Sequence, residues 1–294
     1  MTEAEKPKIW LDYTQEQLNY NYDQRALILN FQEYFDRYDS DSKRARATMN
    51  CRLNVSYGPS KDETLDIFPT KKASAPIVVF IHGGAWTRQS KDAVSYPAEQ
   101  FVPVGANYVA INFGLVPAVT LDEQVRQARA SIAWVYKNAA SFGADPEQLY
   151  VVGHSSGAHV TGMTIVTDWD KEFGLPRNVI KGAMSYSGMY ELEPVRLSAR
   201  NEYMHLDAAA VDRNSSIRHI PSDGPPLIIG SGGGEHEEFQ RQSKVFAEAW
   251  RAAGLSCVEI NLPGLNHFDV SFEFVDRKRP SMIAMLKLMG IQRP

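Results

Sequence analysis

The sequence has little cysteine and no long apolar run. Only two cysteines occur among the 294 residues, Cys51 and Cys257, and both lie in strand-like segments. We therefore expect no disulfide, and the default compartment is the cytoplasm. No apolar stretch approaches the roughly 20 residues that a membrane-spanning helix needs. The charged start MTEAEKPKIW also lacks the apolar core of a signal peptide.

An excess of positive charge is missing as well. The chain has 31 Lys and Arg against 35 Asp and Glu, which gives a formal net charge of −4. A nucleic-acid-binding surface needs a basic stripe, and none is visible. We therefore expect a small-molecule substrate as the partner, with no nucleic acid and no membrane. The sequence leaves a homodimer open.

Signals for a metal or a nucleotide are absent too. The histidines do not show the paired spacing of a zinc site. The glycines at 232–234 are not followed by the Gly-Lys-Ser/Thr of a phosphate-binding loop. We expect neither a metal nor a cofactor.

No Pro/Gly-rich linker, repeat or low-complexity block divides the chain, so we predict one domain over residues 1–294. The first 45 residues or so are expected to form a helical cap. From Thr14 to about Tyr38 there is no Pro or Gly, and Thr14 with Gln17 fits a capping box. An apolar stripe is expected at Tyr20, Leu27, Phe31 and Phe35.

Strand and helix patterns alternate in the remainder of the chain. The run IVVFI (77–81) is short and fully apolar, which is typical of a strand buried on both faces. From Leu121 to Ala140 the apolar period becomes helical. Further strands are expected in RLNVSY, TLDIF, NYVAINF, LYVV, VIKGAMSYS, PLIIG and CVEINL. This alternation predicts an α/β fold with a mostly parallel central sheet and helices on both faces.

One stretch near the middle carries the chemistry. Gly153-His154-Ser155-Ser156-Gly157 fits G-x-S-x-G between an apolar strand and a helix. In that context a sharp turn presents Ser155 as a nucleophile, and the glycines two positions away avoid a clash. A glycine-rich turn with incidental serines is the structural alternative.

A serine nucleophile needs a base and an acid that follow it in the chain. His267, in LPGLNHFDV, comes just after the late strand CVEINL and is the predicted base. The predicted acid is Glu235, directly after three glycines. Glu237 and Glu238 are the alternatives, although both are expected to begin a helix.

Backbone donors for an oxyanion are expected in FIHGGAW (80–86), which follows IVVF. The candidates are the N–H groups of Gly83 and Gly84, together with that of Ser156. His82 is expected to brace this loop.

Side chains that could contact a substrate are harder to identify. Trp86, His154 and Met189 are predicted to lie beside it. Arg88 could pair with a substrate carboxylate, although a surface role is favoured.

The motifs HGGAW, GHSSGAH, RQS and NHFD occur in order. With them the chain resembles the kynurenine formamidase (arylformamidase) branch of the α/β-hydrolases, near the hormone-sensitive-lipase-like esterases, over about residues 15–285. The resemblance implies an α/β-hydrolase fold with Ser155, Glu235 and His267 as a triad. It also implies aryl formamides such as N-formylkynurenine as substrates, in tryptophan catabolism. A departure is Phe113, where the family often has Tyr.

Two alternatives remain at this stage. One is a carboxylesterase or a hydrolase of another small amide. The other is a hydrolase fold retained as a non-catalytic binding module. The order of serine, acid and histidine favours an enzyme that works through an acyl-enzyme intermediate.

Overall fold

The chain is organised around a large sheet whose strands span most of its length. The computed structural model describes residues 6–292. The strands of the large sheet are β3 (Arg52–Ser56), β4 (Thr64–Phe68), β5 (Ala75–Ile81), β6 (Asn107–Ile111), β7 (Ala144–His154), β8 (Ile180–Tyr186), β9 (Leu227–Gly230) and β10 (Cys257–Glu259). A small antiparallel ribbon pairs β1 (Lys8–Trp10) with β2 (Tyr13–Thr14).

The strand order of the large sheet is β10-β9-β8-β7-β5-β6-β4-β3. From β10 to β6 all neighbours are parallel, whereas β4 is antiparallel to both β3 and β6. Every residue of β5 is buried, as its uninterrupted apolar sequence predicts. The predicted mostly parallel α/β sheet is confirmed.

Helices fill the connections between strands. They are α1 (Gln15–Asn21), α2 (Phe31–Thr48), α3 (Ala98–Phe101), α4 (Leu121–Asn138), α5 (Ser156–Ile165), α6 (Trp169–Phe173), α7 (Glu193–Leu197), α8 (Asn201–Met204), α9 (Ala208–Asn214), α10 (Glu237–Ala252) and α11 (Pro280–Leu288). Short 3₁₀ segments cover Gln24–Leu27, Lys91–Val94, Val102–Val104, Ala139–Phe142, Ser216–Arg218 and Asp269–Val275.

Two apolar layers sandwich the sheet, because successive side chains of a strand point to opposite faces. In β5, Val79 packs in one layer with residues such as Ile132 of α4 and Trp250 of α10. Phe80 packs in the other layer with residues such as Met285 of α11. Helices therefore cover both faces, as predicted.

In the N-terminal segment, where we expect a helical cap, the helical structure is interrupted. The capping box of Thr14 and Gln17 is present and starts α1. The helix then ends at Asn21, and a new one begins at Phe31. The predicted apolar stripe is wrong, because Tyr20 and Leu27 are exposed. Tertiary contacts override the helical pattern here, since the interrupted stretch lies over a cavity described below.

Both cysteines are free and half-buried. Within residues 6–292, no helix combines the length and apolar character needed to cross a membrane.

A buried histidine holds the start of α5 to a neighbouring loop. The indole Nε1 of Trp86 donates to His159 Nδ1 at 3.1 Å, and His159 Nε2 lies 2.9 Å from the carbonyl oxygen of Asn214. The ring must therefore be the neutral tautomer with its proton on Nε2. Burial lowers the pKa of His159 from 6.5 to about 4, because a charged imidazole would lose its hydration without gaining a carboxylate partner.

We expect this histidine to make stability depend on pH. Between pH 6.5 and 4 the unfolded chain binds a proton that folded His159 does not, so stability falls as the pH falls through that window. His159→Gln removes this contribution, which is about 3 kcal/mol at pH 4. Urea unfolding of the wild type and of His159→Gln at pH 7 and pH 4 measures the difference in unfolding free energy between the two pH values. The surface variant His219→Gln should lose as much unfolding free energy between pH 7 and pH 4 as the wild type does. An equal loss in His159→Gln would contradict the prediction.

Candidate active site

Ser155 lies on a tight turn between β7 and α5. Its backbone has φ 59° and ψ −127°, a conformation that residues with a side chain rarely adopt. A Cβ on Gly153 would lie 2.3 Å from Thr161 Oγ1, and one on Gly157 would lie 2.2 Å from the carbonyl oxygen of Ile81. Both glycines are therefore required by close approach, as the motif predicts.

Three predicted side chains meet in one hydrogen-bonded line. His267 Nε2 lies 2.9 Å from Ser155 Oγ, and His267 Nδ1 lies 2.8 Å from Glu235 Oε1. All three residues are at least nine-tenths buried. With its proton on Nδ1, the imidazole donates to Glu235 and accepts from the Ser155 hydroxyl. That arrangement can take a proton from the serine.

The structure distinguishes among the three candidate acids. Glu235 contacts the imidazole, whereas Glu237 is exposed at the first position of α10. Glu238 is buried but pairs with Arg241 at 2.7 Å. Of the three, the geometry favours Glu235.

Burial shifts the protonation equilibria of the pair. It raises the pKa of the Glu235 carboxyl, and the nearby Ser187 hydroxyl opposes that rise by favouring the charged form. Burial lowers the pKa of His267, and the positive charge of Arg200 lowers it further. A neutral imidazole is the form that can act as a base. Ser187, whose φ is 56°, follows β8 and was not predicted.

His154 sits beside the imidazole. The ring centroids of His154 and His267 are 4.6 Å apart, and His154 Nδ1 lies 3.0 Å from Ser271 Oγ. The ligand atoms of His154, Glu235 and His267 come close enough to surround an ion. However, both ring nitrogens of His267 are already engaged, which leaves fewer ligands than a tetrahedral zinc site uses.

The predicted oxyanion loop approaches the turn closely. A Cβ on Gly83 would lie 2.9 Å from the carbonyl oxygen of His154 and 3.2 Å from Ser155 Cβ, and Gly84 has φ 104°. Among the described residues, no backbone carbonyl accepts from the N–H of Gly83 or Gly84. Ser156 is the first residue of α5, where N–H groups lack helical partners. These N–H groups are thus available beside the serine.

His82 has the bracing position that we expected. Its Nδ1 lies 2.9 Å from the carbonyl oxygen of Gly83. Its ring stacks on Phe113 with a centroid distance of 4.3 Å and an interplanar angle of 14°.

A cavity of about 420 Å³ opens in front of Ser155. His154, His267 and Gly83 line its floor, and the interrupted N-terminal stretch from Tyr22 to Arg25 forms part of its wall. The described part of the predicted cap, from residue 6 onwards, therefore borders the site, whereas residues 1–5 lie outside the described residues. No local sequence pattern predicts which side chains line this wall, because they arrive from segments remote along the chain.

Two predicted substrate contacts are wrong. Trp86 is 1% exposed and Met189 is 0% exposed, and both are packed in one apolar cluster. Neither lines the cavity. The indole N–H of Trp86 donates instead to the buried His159. His154 does line the cavity. Arg88 is exposed and also lines the cavity, so both of its predicted roles remain predictions.

Known proteins similar to this chain are hydrolases. Residues 65–249 match the BD-FAE family. The chain is 30% identical over 258 residues to kynurenine formamidase from Danio rerio, across 85% of this chain and 86% of that protein. It is 27% identical to esterase LipQ from Mycobacterium tuberculosis, across 79% of this chain and 59% of that protein.

A similar fold occurs in solved structures. A candidate thioesterase from Silicibacter sp. superposes with a TM-score of 0.78 at 23% sequence identity, over 94% of this chain and 98% of that one. At this identity the likeness concerns the fold alone.

Gly157→Ala tests the close approach at the turn. The new methyl group would meet the Ile81 carbonyl oxygen, so we expect a loss of about 1–3 kcal/mol in unfolding free energy. We also expect at least a roughly ten-fold lower kcat, since small displacements of a nucleophile are costly.

Gly143→Ala is the matched control. A Cβ at Gly143 meets no atom within 4 Å, so only the strain of its positive φ is added. Its kcat should stay at the wild-type value. Wild-type hydrolysis by Gly157→Ala would contradict the role assigned to this glycine.

Proposed function

Because this chain belongs to the BD-FAE family and to the kynurenine formamidase-like branch of the α/β-hydrolases, we propose that it hydrolyses an aryl formamide such as N-formylkynurenine. The chain is a serine hydrolase that acts on small amides or esters. The observation that carries the proposal is the line of hydrogen bonds from Ser155 through His267 to Glu235.

The first half of the proposed reaction forms an acyl-enzyme. Ser155 Oγ attacks the formyl carbon while His267 Nε2 takes the hydroxyl proton. The oxyanion receives hydrogen bonds from the N–H groups of Gly83, Gly84 and Ser156. His267 then gives the proton to the leaving aryl amine as the carbon–nitrogen bond breaks. Ser155 is left carrying the formyl group.

The second half repeats these roles with water. His267 takes a proton from water, whose oxygen attacks the formyl ester, and formate leaves as Ser155 regains its proton. Throughout, Glu235 holds the imidazole in the required tautomer and stabilises its charged form. This assignment places the reaction in tryptophan catabolism, and we propose a cytoplasmic enzyme.

A carboxylesterase is the second candidate, and the similarity to esterase LipQ supports it. The two candidates share the acyl-enzyme route and differ in the group that leaves. A non-catalytic binding module is disfavoured by the intact hydrogen-bonded line.

Values of kcat/KM for N-formylkynurenine, p-nitrophenyl acetate and p-nitrophenyl butyrate separate the two candidates. We expect about 10⁴ M⁻¹s⁻¹ or more for the formamide, well ahead of both esters. Fast ester cleavage with negligible formamide turnover would keep the nucleophile but reject the formamidase proposal.

Substitutions test the roles of the three residues. Ser155→Ala should lose turnover by more than about 10³-fold and should no longer react with a fluorophosphonate probe, because the nucleophile is gone. Glu235→Gln should lower kcat by about 10²–10⁴-fold, since the imidazole loses its charged partner.

Glu237→Gln is the matched control for the acid. This variant makes the same change from carboxylate to amide at an exposed position two residues after Glu235. Its kcat should therefore match that of the wild type. Equal losses in the two glutamine variants, or activity above a few per cent in Ser155→Ala with the fold intact, would refute the assignment.

A further inference from the structure

The charges that line the cavity are unbalanced. Arg25, Arg88 and Arg200 line it, and Asp23 is the acidic residue among its lining residues. Asp23 is already bonded to Arg25 at 3.1 Å. No ion pair within residues 6–292 involves Arg88 or Arg200. The side chains that line the cavity in front of Ser155 therefore carry a net positive charge.

Arg200 differs from the other two arginines in how it is held. It lies between α7 and α8, and one terminal nitrogen donates to the carbonyl oxygen of Tyr22 at 2.6 Å. The guanidinium carbon lies 5.2 Å from the ring centroid of Tyr22 and 5.8 Å from that of Phe239. These contacts fix the planar group between the cap and the body of the protein.

The other terminal nitrogen of Arg200, Nη1, is buried and has no hydrogen-bond partner among the described residues. Leaving a buried charged donor unpaired is costly, and Arg200 lines the cavity in front of Ser155. A planar guanidinium held against aromatic rings is well suited to receive a carboxylate.

Arg200 is also near the reacting residues. Phe239 lies against both groups, since its ring centroid is 5.1 Å from that of His267. The charge of Arg200 lowers the pKa of the His267 imidazole, which is consistent with this proximity.

We propose that Arg200 binds a carboxylate on the substrate and makes the enzyme selective for substrates that carry one. This inference rests on the proposed function for its location. If the acyl group is formyl, it has no room for a second functional group. The carboxylate must then lie on the leaving amine, several bonds from the scissile bond.

Two substrate pairs test the proposal. In each pair a carboxylate is replaced by a carboxamide of nearly the same shape: N-formylkynurenine against its carboxamide, and 4-acetoxybenzoate against 4-acetoxybenzamide. Arg200→Gln should lower kcat/KM about 10–100-fold for the carboxylates, because a charge-assisted hydrogen bond is lost. The carboxamides should change by less than about three-fold. Arg200→Lys keeps the charge but loses the planar fork. For the carboxylates, its kcat/KM should therefore lie between the values of the wild type and of Arg200→Gln.

Controls separate charge from stability. Arg52→Gln makes the same change on β3, away from the cavity lining, and should leave all four values unchanged. Each pair provides an internal control, because a loss of folded protein lowers both members equally. An equal fall for carboxylate and carboxamide in Arg200→Gln would overturn the proposal.

The same four compounds are also titrated into Ser155→Ala protein with and without Arg200→Gln, which gives Kd where turnover is slow. Equal Kd within each pair would likewise overturn the proposal. If the acetoxy pair shows the preference while neither formamide is cleaved, the formamidase assignment fails and the Arg200 site stands. If N-formylkynurenine is cleaved no better than its carboxamide, the Arg200 site fails and the formamidase assignment stands.

Discussion

The strained backbone of Ser155 is the constraint on which the rest of the site depends. A residue at φ 59° and ψ −127° persists only where its surroundings fix it, at a cost of about 1–3 kcal/mol. The Ser155 N–H donates to the carbonyl oxygen of Tyr186 at 2.9 Å, and Gly157 is pressed against the end of β5. Parallel strands buried on both sides supply that rigidity. The hydroxyl is consequently placed at the carboxyl edge of the sheet, where the loop of His267 can reach it.

The N-terminal cap and the base are mechanically linked. The hydroxyl of Tyr38 donates to the carbonyl oxygen of Phe268, and the hydroxyl of Tyr34 lies 2.9 Å from Asp269 Oδ1. Both contacts hold the segment just after His267. At its other end the cap accepts a hydrogen bond from Arg200. The segment that encloses the cavity therefore also positions the imidazole and the guanidinium, so the depth of the cavity and the geometry of the site depend on the same contacts.

Much of this organisation could be predicted from local pattern. The buried strand β5 and the amphipathic helix α4 are visible as apolar periods, and the glycines around Ser155 identify its turn. The choice of Glu235 over Glu237 followed from the expectation that the latter begins a helix. The predictions failed for Trp86 and Met189, which pack in an apolar cluster and do not line the cavity. Trp86 follows the oxyanion loop in sequence, but its indole N–H bonds to the buried His159, and its side chain does not line the cavity.

The sequence by itself determined the alternation of strands and helices and the mostly parallel sheet, and it predicted the serine and the histidine, because each is encoded by residues adjacent along the chain. The sequence leaves the acid open among Glu235, Glu237 and Glu238, and the contact between Glu235 and His267 in the folded protein favours Glu235. Only the tertiary structure decided where the N-terminal helix breaks and which charged groups face the cavity. Both depend on contacts between segments separated by more than a hundred residues, such as the hydrogen bond between Arg200 and Tyr22. Local periodicity carries no information about such contacts, since they arise only once the sheet has brought the segments together.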